Sequence, residues 1–482
     1  MILRDLIAEI EVTKVVGSTD ITLTALDNDS RKIGPGAIFI AVNGVNVDGH
    51  RFIDSVVAQG AAAVVCEVLP AEPATGVTWV VVPDSHVALA RLAAAWFGHP
   101  SRQLTLVGVT GTNGKTTCAT LLYELTRLMG YKAGLLSTVK NIVDTRETVA
   151  VQTTPDHLTL NRLLREMVDA GCDYAYMEVS SHACAQHRID GLSFAGAVFT
   201  NLTRDHLDFH LTVDNYIAAK KSFFDALTPD AWALINADDR HGAVMVQNCR
   251  AAVSDYSLRS MARFKCRIVE QRLDGTTLML DGRELEVAFT GRFNAYNLTA
   301  VYGAARLLGW DCDEVLVKMS LLQPVSGRFQ TLRAPKGFYA IVDYAHTPDA
   351  LVNVLSTIND VLQATGGHII TVAGCGGNRD KGKRPIMAAE AAARSNRLII
   401  TSDNPRNENP DDIINDMLAG LTDEQRRDTL VIADRAQAIK TACALAEPGD
   451  VVLVAGKGHE TYQEVNGVKH HFDDTEQLRL NF

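Results

Sequence analysis

Residues 104–117 read LTLVGVTGTNGKTT, and this stretch decides the fold. It opens as an apolar run from Leu104 to Val109, interrupted at Thr105 and Gly108. A strand buried on both faces of a parallel sheet has this pattern. The chain then turns through Gly111-Thr112-Asn113-Gly114 into Lys115-Thr116-Thr117, and helical spacing follows from Cys118 to Met129. Strand, glycine turn, Lys-Thr and helix together predict a phosphate-binding loop. Its backbone N–H groups and the helix N-terminus face phosphate oxygens, Lys115 adds positive charge, and Thr116 can hold Mg²⁺. Val109 stands where the usual pattern has its first glycine, so this is the tighter variant anchored on Gly111. A chance Gly-Lys-Thr in a surface turn would lack the flanking strand and helix.

The chain has 482 residues, enough for about three domains. It is 47% hydrophobic and 21% charged, an ordinary composition for a soluble protein. A net charge of −11 argues against a nucleic-acid binder, which would carry a basic face. The nine cysteines are scattered and form no Cys-x-x-Cys pair. They read as reduced thiols of a cytoplasmic protein, not as a disulfide frame or zinc site. The opening MILRDLIAEIEV carries acids early and does not read as a signal peptide. No stretch approaches the roughly 20 apolar residues of a membrane span.

Ahead of the loop, residues 37–42 and 62–65 read as strands, with a helix between them over 50–59 that sets Phe52, Ile53, Val56 and Val57 on one face. A further helix is expected over 87–97, and Gly98-His99-Pro100-Ser101 reads as a linker. Asp29-Ser30-Arg31 taken alone is a cap and turn.

Beyond the loop, strands and helices alternate, which predicts a mostly parallel sheet. Strand 174–179 ends in Ser180-Ser181-His182, and strand 197–200 runs into the polar segment 201–208. Ligands of doubly wound sheets sit outside the carboxyl ends of the strands, and both clusters fall there beside the phosphate loop. Glu178 and His206 are therefore candidates around Mg²⁺. The carboxylate is the more natural ligand, and His206 reads equally as a hydrogen-bonded structural residue. A helix over 214–224 carries Lys220 and Lys221, whose default reading is a solvated face. Asn236-Ala237-Asp238-Asp239 reads as a nucleotide contact or a turn. Asn294 and Asn297 either reach a base or ribose or cap a helix.

The last third repeats the αβ pattern. Strands are expected at 340–343, 368–372, 397–401, 430–432 and 451–454. Their carboxyl ends carry Gly374-Cys375-Gly376-Gly377-Asn378-Arg379-Asp380, Ser402-Asp403-Asn404-Pro405-Arg406 and Gly456-Lys457-Gly458-His459-Glu460. Arg379 and Arg406 offer forks for carboxylate or phosphate. The expected architecture is three α/β units: 1–98, 99–333 around the phosphate loop, and a Rossmann-like 334–482.

Taken in order along nearly the full length, these motifs resemble the Mur ligases of bacterial cell-wall synthesis. The resemblance rests on Asp29-Ser30-Arg31, the phosphate loop, Thr153-Thr154-Pro155, Glu178 to His182 with Gln186-His187-Arg188, Asn201 to Asp208, Tyr216 to Lys220, Gly291 to Asn297, Gly327-Arg328, Asp343 to His346, Gly374 to Pro385, Asp403 to Arg406, and Gly456 to Glu460. It implies ATP-dependent amide synthesis in peptidoglycan precursor assembly. ATP would phosphorylate the carboxylate of UDP-MurNAc-L-Ala-D-Glu, and an amino acid's amine would displace phosphate from the acyl phosphate. Lys220 matches a position carbamylated in the family, where with His206 it would serve a second Mg²⁺. Glu178 would serve the metal or its water shell. Asn294, Arg328 and Asp343 match nucleotide contacts. Asn28, Ser30 and the turn Val45-Asn46-Val47 match a uridine-binding unit. Thr153, Thr154, Ser180, Gln186 and Arg188 match muramoyl-peptide contacts, with Gln152 standing where the family usually has Asn. Asp403-Asn404-Pro405-Arg406 resembles the meso-diaminopimelate version of the specificity motif, in which Arg406 forks onto the distal carboxylate. Arg379, Gly456 and Glu460 would hold the other polar ends. Asn378 stands where the family usually has Asp. A lysine-adding relative would lack a use for Arg406, a folate-glutamate ligase would lack the first unit, and an ATP-driven switch would leave the three rim clusters without a role. A monomer is expected.

Overall fold

The computed structural model describes residues 1–44, 47–203 and 205–482. The strand predicted from the apolar run is Thr105–Thr110, and it lies in the middle of an eleven-stranded sheet. It pairs in parallel with Tyr174–Glu178 on one side and Gly196–Phe199 on the other. Parallel pairing continues outward through Ala133–Leu136 on one flank and through Trp232–Asn236, Ala252–Ser257 and Phe264–Arg272 on the other. Antiparallel strands finish both edges. Alternate residues of the central strand enter different cores. Val107 and Val109 pack in one, and Leu106 in the other. Being covered on both faces is why the strand reads as a continuous apolar run.

Two further parallel sheets flank it in sequence. The first has the order Lys14–Val16, Thr78–Val81, Ala63–Cys66, Ile38–Ile40, Leu26–Asp27, antiparallel only at Lys14–Val16. The third has the order Gln330–Arg333, Tyr339–Asp343, Val451–Ala455, Ile369–Ala373, Arg397–Ile400, Leu430–Val431, antiparallel only at Gln330–Arg333. Gln330–Arg333 is bonded into this sheet, so the sheet takes in residues ahead of 334. A hairpin of Tyr462–Val465 and Val468–His471 stands apart from it. The expected three-unit α/β architecture and all five strands expected in the last third are present.

The structure corrects the local reading at three places. Residues 49–52 form a 3₁₀ turn ahead of a short helix Ile53–Ala58, and Phe52 is exposed instead of joining the apolar face. The helix after the phosphate loop begins at Lys115, three residues before its apolar spacing becomes visible. Lys220 is not on a solvated face, being 1% exposed. Among the described residues, no helix is long and apolar enough to cross a membrane.

Candidate active site

Several of the longer helices start at a residue whose side chain accepts from the first turn: Asp84 in the first unit, and Asp156, Thr212 and Asp311 around the central sheet. Lys115–Leu128 starts differently. Its N-cap is Gly114, with φ of 86° and no side chain to offer. The amides of the first turn have no intrahelical partner, so this N-terminus is open to an anion. A Cβ on Gly114 would lie 2.5 Å from Asn297 Oδ1, and one on Gly111 would lie 2.0 Å from Thr200 Oγ1. The loop is therefore pressed against its surroundings at both glycines. Thr112 N–H donates to Asn201 O at 2.8 Å, Asn113 N–H to Asn201 Oδ1 at 2.9 Å, and the Thr112 hydroxyl meets Tyr216 OH at 3.0 Å. Thr116 and Thr117 are buried in the first helical turn.

Two lysines converge on this loop. Lys115 Nζ donates to Gly111 O at 2.9 Å and Thr112 O at 2.8 Å. Lys220 Nζ donates to the same Gly111 O at 2.8 Å and lies 4.9 Å from the Tyr216 ring centre. Burial, then the neighbouring Lys115 charge, push Lys220 down to about 7 from the ordinary lysine range. Burial likewise lowers Lys115. Lys221, one residue on, is paired with Asp225 at 2.6 Å.

Glu178 closes its strand and is buried. Its Oε1 accepts from Thr138 N–H at 2.7 Å and its Oε2 from the Thr138 hydroxyl at 3.1 Å. His206, with φ of 53°, has Nε2 at 3.5 Å from Asp205 and packs edge-on against His182. Burial depresses it to about 4, against the pull of Asp205, so it stands neutral at pH 7 and can offer a ring nitrogen. Among the described residues no three His, Cys, Asp or Glu side chains are arranged to cage a metal. Thr116 offers a hydroxyl and Glu178 a carboxylate, oxygen donors of the kind that Mg²⁺ takes alongside waters and phosphate oxygens.

The muramoyl-peptide candidates form one network beside Glu178. The Thr154 hydroxyl donates to Glu178 O at 2.7 Å and accepts from Ser180 N–H at 3.1 Å. Ser180 caps the following helix. Arg188 donates to Thr154 O at 2.7 Å, to Gln152 Oε1 at 2.7 Å and twice to Gln186 Oε1. Gln152, the departure from the family pattern, thus reaches Arg188. Thr153 contacts the Thr138 hydroxyl at 3.1 Å. Asn28, Ser30 and the exposed Val47 lie on the first unit, past the ends of Leu26–Asp27 and Ile38–Ile40. Val45 and Asn46 lie outside the described residues.

The remaining candidates come from the central and third units. Arg328 Nη2 donates to Thr116 Oγ1 at 3.2 Å, its guanidinium stacks 4.6 Å from the Tyr344 ring centre, and its buried Nε has no partner among the described residues. An orphaned guanidinium N–H beside an open helix N-terminus fits a polyphosphate. Asp343 accepts from the N–H groups of Phe329 at 2.6 Å and Ala345 at 2.7 Å, and burial lifts it to about 6. Asn294 is buried and donates to Thr290 O at 2.9 Å, one turn inside a helix headed by Gly291, so neither it nor Asn297 is the N-cap. Asp238 takes donors from Ser257, Leu258, Ser260 and Tyr296, which makes its segment a turn.

Arg406 is held with φ of 51°. Its N–H donates to Glu464 O at 2.9 Å, its Nη1 donates to Gly377 O at 2.9 Å, and its Nε lies 3.6 Å from the Glu464 carboxylate. A Cβ on Gly376 would come 2.8 Å from Arg406 Nη1 and 3.8 Å from Arg379 Cγ, so both arginines border this glycine. Pro405 crosses Gly377 closely enough that a Cβ there would lie 1.9 Å from its carbonyl. The Asn404 amide is held at both ends: Nδ2 donates to Glu460 Oε2 at 2.7 Å, while Oδ1 accepts from Glu464 N–H at 2.9 Å and Lys457 Nζ at 3.2 Å. Burial, then Asp403, raise Glu460. Gly456 passes Asp403 where a Cβ would lie 2.5 Å from Oδ2. Asn378 sits at φ of 54°, a conformation asparagine tolerates well, and accepts from Asn407 N–H at 3.1 Å. Sequence reasoning missed Thr138 and Lys457, whose roles arise from contacts distant in sequence. Lys457 is fully buried and donates to Glu460 at 3.2 Å as well as to Asn404.

Comparison with known proteins gives three family matches in order along the chain. They are Mur ligase family, catalytic domain, at residues 22–97; Mur ligase middle domain at 109–305; and Mur ligase, glutamate ligase domain, at 327–458. The chain is 58% identical to the UDP-N-acetylmuramoyl-L-alanyl-D-glutamate–2,6-diaminopimelate ligase of Parabacteroides distasonis, covering 100% of this chain and 99% of that one. It is 57% identical to the Bacteroides fragilis protein of the same name, with the same coverage. A solved structure of a ligase so named aligns with a TM-score of 0.69 at 34% identity, covering 95% of this chain and 94% of the other. Mycobacterium tuberculosis folylpolyglutamate synthase shares the fold at 15% identity and a TM-score of 0.62, over 77% of this chain and 92% of its own. With 58% identity along its whole length, the chain belongs to the Mur ligase family.

Proposed function

We propose that the chain is an ATP-dependent ligase that adds meso-2,6-diaminopimelate to UDP-N-acetylmuramoyl-L-alanyl-D-glutamate in peptidoglycan precursor synthesis. The names of its full-length relatives support the reaction and the substrates. The observation that carries the reading is the 3.2 Å contact from Arg328 to Thr116, because it joins the phosphate loop to the unit that holds Arg406. One site then serves both a nucleotide and an amino acid.

The chemical difficulty is that a carboxylate must attack a polyphosphate, anion against anion. The open amides at Lys115–Thr117, Lys115 itself and the orphaned N–H of Arg328 offset that repulsion and hold the phosphates in line, so fixed positive groups and positioning carry the step. Thr116 and Glu178 would hold Mg²⁺, with His206 and a carbamylated Lys220 at a second position, and the ion would supply further charge against the phosphate oxygens. The lowering of Lys220 by burial and by Lys115 suits carbamylation, because only the neutral amine takes up CO₂. Thr153, Thr154, Ser180, Gln186 and Arg188 hold the muramoyl peptide, with its uridine end on Asn28, Ser30 and residues 45–47. Asn294 and Asp343 serve the nucleotide. Arg406 takes the distal carboxylate of diaminopimelate, Arg379 and Glu460 its other polar ends, while Asn404 and Lys457 aim Glu460.

The test is phosphate release with ATP, Mg²⁺ and the UDP-dipeptide, comparing meso-diaminopimelate, L-lysine and no amino acid. Release with diaminopimelate alone is expected. Release with lysine would remove the assignment of Arg406, and release with no amino acid would replace the ligase by an ATPase.

A further inference from the structure

The Thr138 side chain lies outside every motif named above, yet it touches the carboxylate that matters most. It sits in the turn between Ala133–Leu136 and Lys140–Val143. Ala133–Leu136 runs parallel to Tyr174–Glu178, with Leu136 opposite Met177, so the turn arrives beside Glu178. The turn is rigid. The buried Ser137 hydroxyl accepts from Val139 N–H at 3.3 Å and Lys140 N–H at 3.2 Å, and donates to Lys140 O at 2.8 Å. Thr138 then grips both oxygens of Glu178, one through its N–H at 2.7 Å and one through its hydroxyl at 3.1 Å. A carboxylate only accepts, so the Thr138 hydroxyl hydrogen points to Glu178. The same hydroxyl lies 3.1 Å from Thr153 Oγ1. Thr154 meanwhile holds the backbone carbonyl of Glu178 at 2.7 Å. Adjacent threonines of the muramoyl-peptide segment thus fix both ends of Glu178, one directly and one through Thr138.

We propose that Thr138 is the positioning residue that orients Glu178 toward Mg²⁺ and links that carboxylate, through Thr153, to the muramoyl-peptide site. This rests on the ligase reading for the identity of the metal and the peptide. Groups that orient a metal-binding carboxylate govern metal affinity by roughly 10–100-fold. Thr138→Val keeps the N–H bond to Oε1 and the side-chain volume, and removes the hydroxyl bond to Oε2 together with the link to Thr153. Thr138→Ser keeps both.

The experiment is calorimetric titration of the full chain with ADP, with and without Mg²⁺, for wild type, Thr138→Val and Thr138→Ser. The Mg²⁺-dependent tightening of ADP is expected to fall about tenfold or more in Thr138→Val. Metal-free ADP affinity stays unchanged, and Thr138→Ser stays near wild type. Tightening in Thr138→Val equal to wild type would overturn the proposal. So would a parallel loss of metal-free affinity, which marks a general defect of the site. Wild-type phosphate release, run beside the titrations, judges the ligase reading separately.

Discussion

A lysine amine becomes chemically useful at neutral pH only when its surroundings disfavour the ammonium, and Lys220 is placed for that. It is buried, it faces a second lysine, and its Nζ donates to Gly111 O, which Lys115 Nζ also uses. The sign follows from the direction of the shift. Between about pH 7 in the folded chain and the ordinary lysine value of 10.5, the folded protein holds the neutral amine while the unfolded chain holds the ammonium. Lys220 therefore contributes stability that rises with pH across that window, and it is competent to take up CO₂ there. With ¹³C-bicarbonate, a carbamate NMR signal is expected at pH 8 and lost at pH 6 and in Lys220→Ala. Lys115→Met removes the second cause of the shift, so the signal should appear only at a higher pH than in wild type. An unmoved onset would mean burial alone sets the Lys220 value. These two lysines also show what sequence exposes at this scale. Lys115 announces itself by its loop, whereas helical spacing does not separate Lys220 from Lys221 and only the family resemblance singles out Lys220. Helix rotation separates them, turning one onto Gly111 O and the other onto Asp225.

The central strand Thr105–Thr110 is held in a space that admits no side chain at Gly108. A Cβ there would lie 2.5 Å from Phe223 Cζ and 3.0 Å from Phe194 Cε1. Gly108→Ala is expected to destabilise the central unit by about 1–3 kcal/mol through overpacking. Phe223→Leu, which opens the same space, should make the double variant less destabilised than the sum of the singles. Additive losses in melting measurements would show that the alanine is accommodated by a backbone shift. The strand was legible because burial on both faces leaves an unbroken apolar run, and the phosphate loop because its glycines and Lys-Thr follow that run directly. The edge strands Lys14–Val16 and Gln330–Arg333 were not, being short, partly exposed and without an apolar run. The hairpin Tyr462–Val465 with Val468–His471 was missed for a related reason. Its second strand is exposed at all four positions, so no face is marked by hydrophobicity. Yet that hairpin receives Arg406 N–H on Glu464 O and returns Asn466 N–H to Arg406 O at 2.7 Å, which fixes the left-handed backbone at Arg406.

Across the whole molecule, the phosphate loop and Arg406 belong to different sheets, and on the proposed reading they act on one reaction. A chain of contacts leads from one to the other. Arg328 meets Thr116 and stacks on Tyr344, Tyr344 packs against His459, and His459 precedes Glu460, which shares Asn404 with the Arg406 loop. The sequence supplied the two ends of this chain through their motifs, but no periodicity could reveal the stacking in between. If the ends are specialised as proposed, variants at each should separate cleanly. Lys115→Ala should abolish phosphate release and weaken ADP binding, with the fold retained by circular dichroism. Arg406→Ala should leave ADP affinity unchanged and reduce diaminopimelate-dependent release by about a hundredfold or more. It removes one partner of a charged, partly buried contact and leaves the Glu464 carboxylate without its arginine. The loss should appear chiefly as a raised KM for diaminopimelate, and L-lysine, which has no distal carboxylate, should gain no comparable advantage from the intact arginine. If ADP affinity falls in step with diaminopimelate use, Arg406 supports the packing of the third unit and does not read the amino acid.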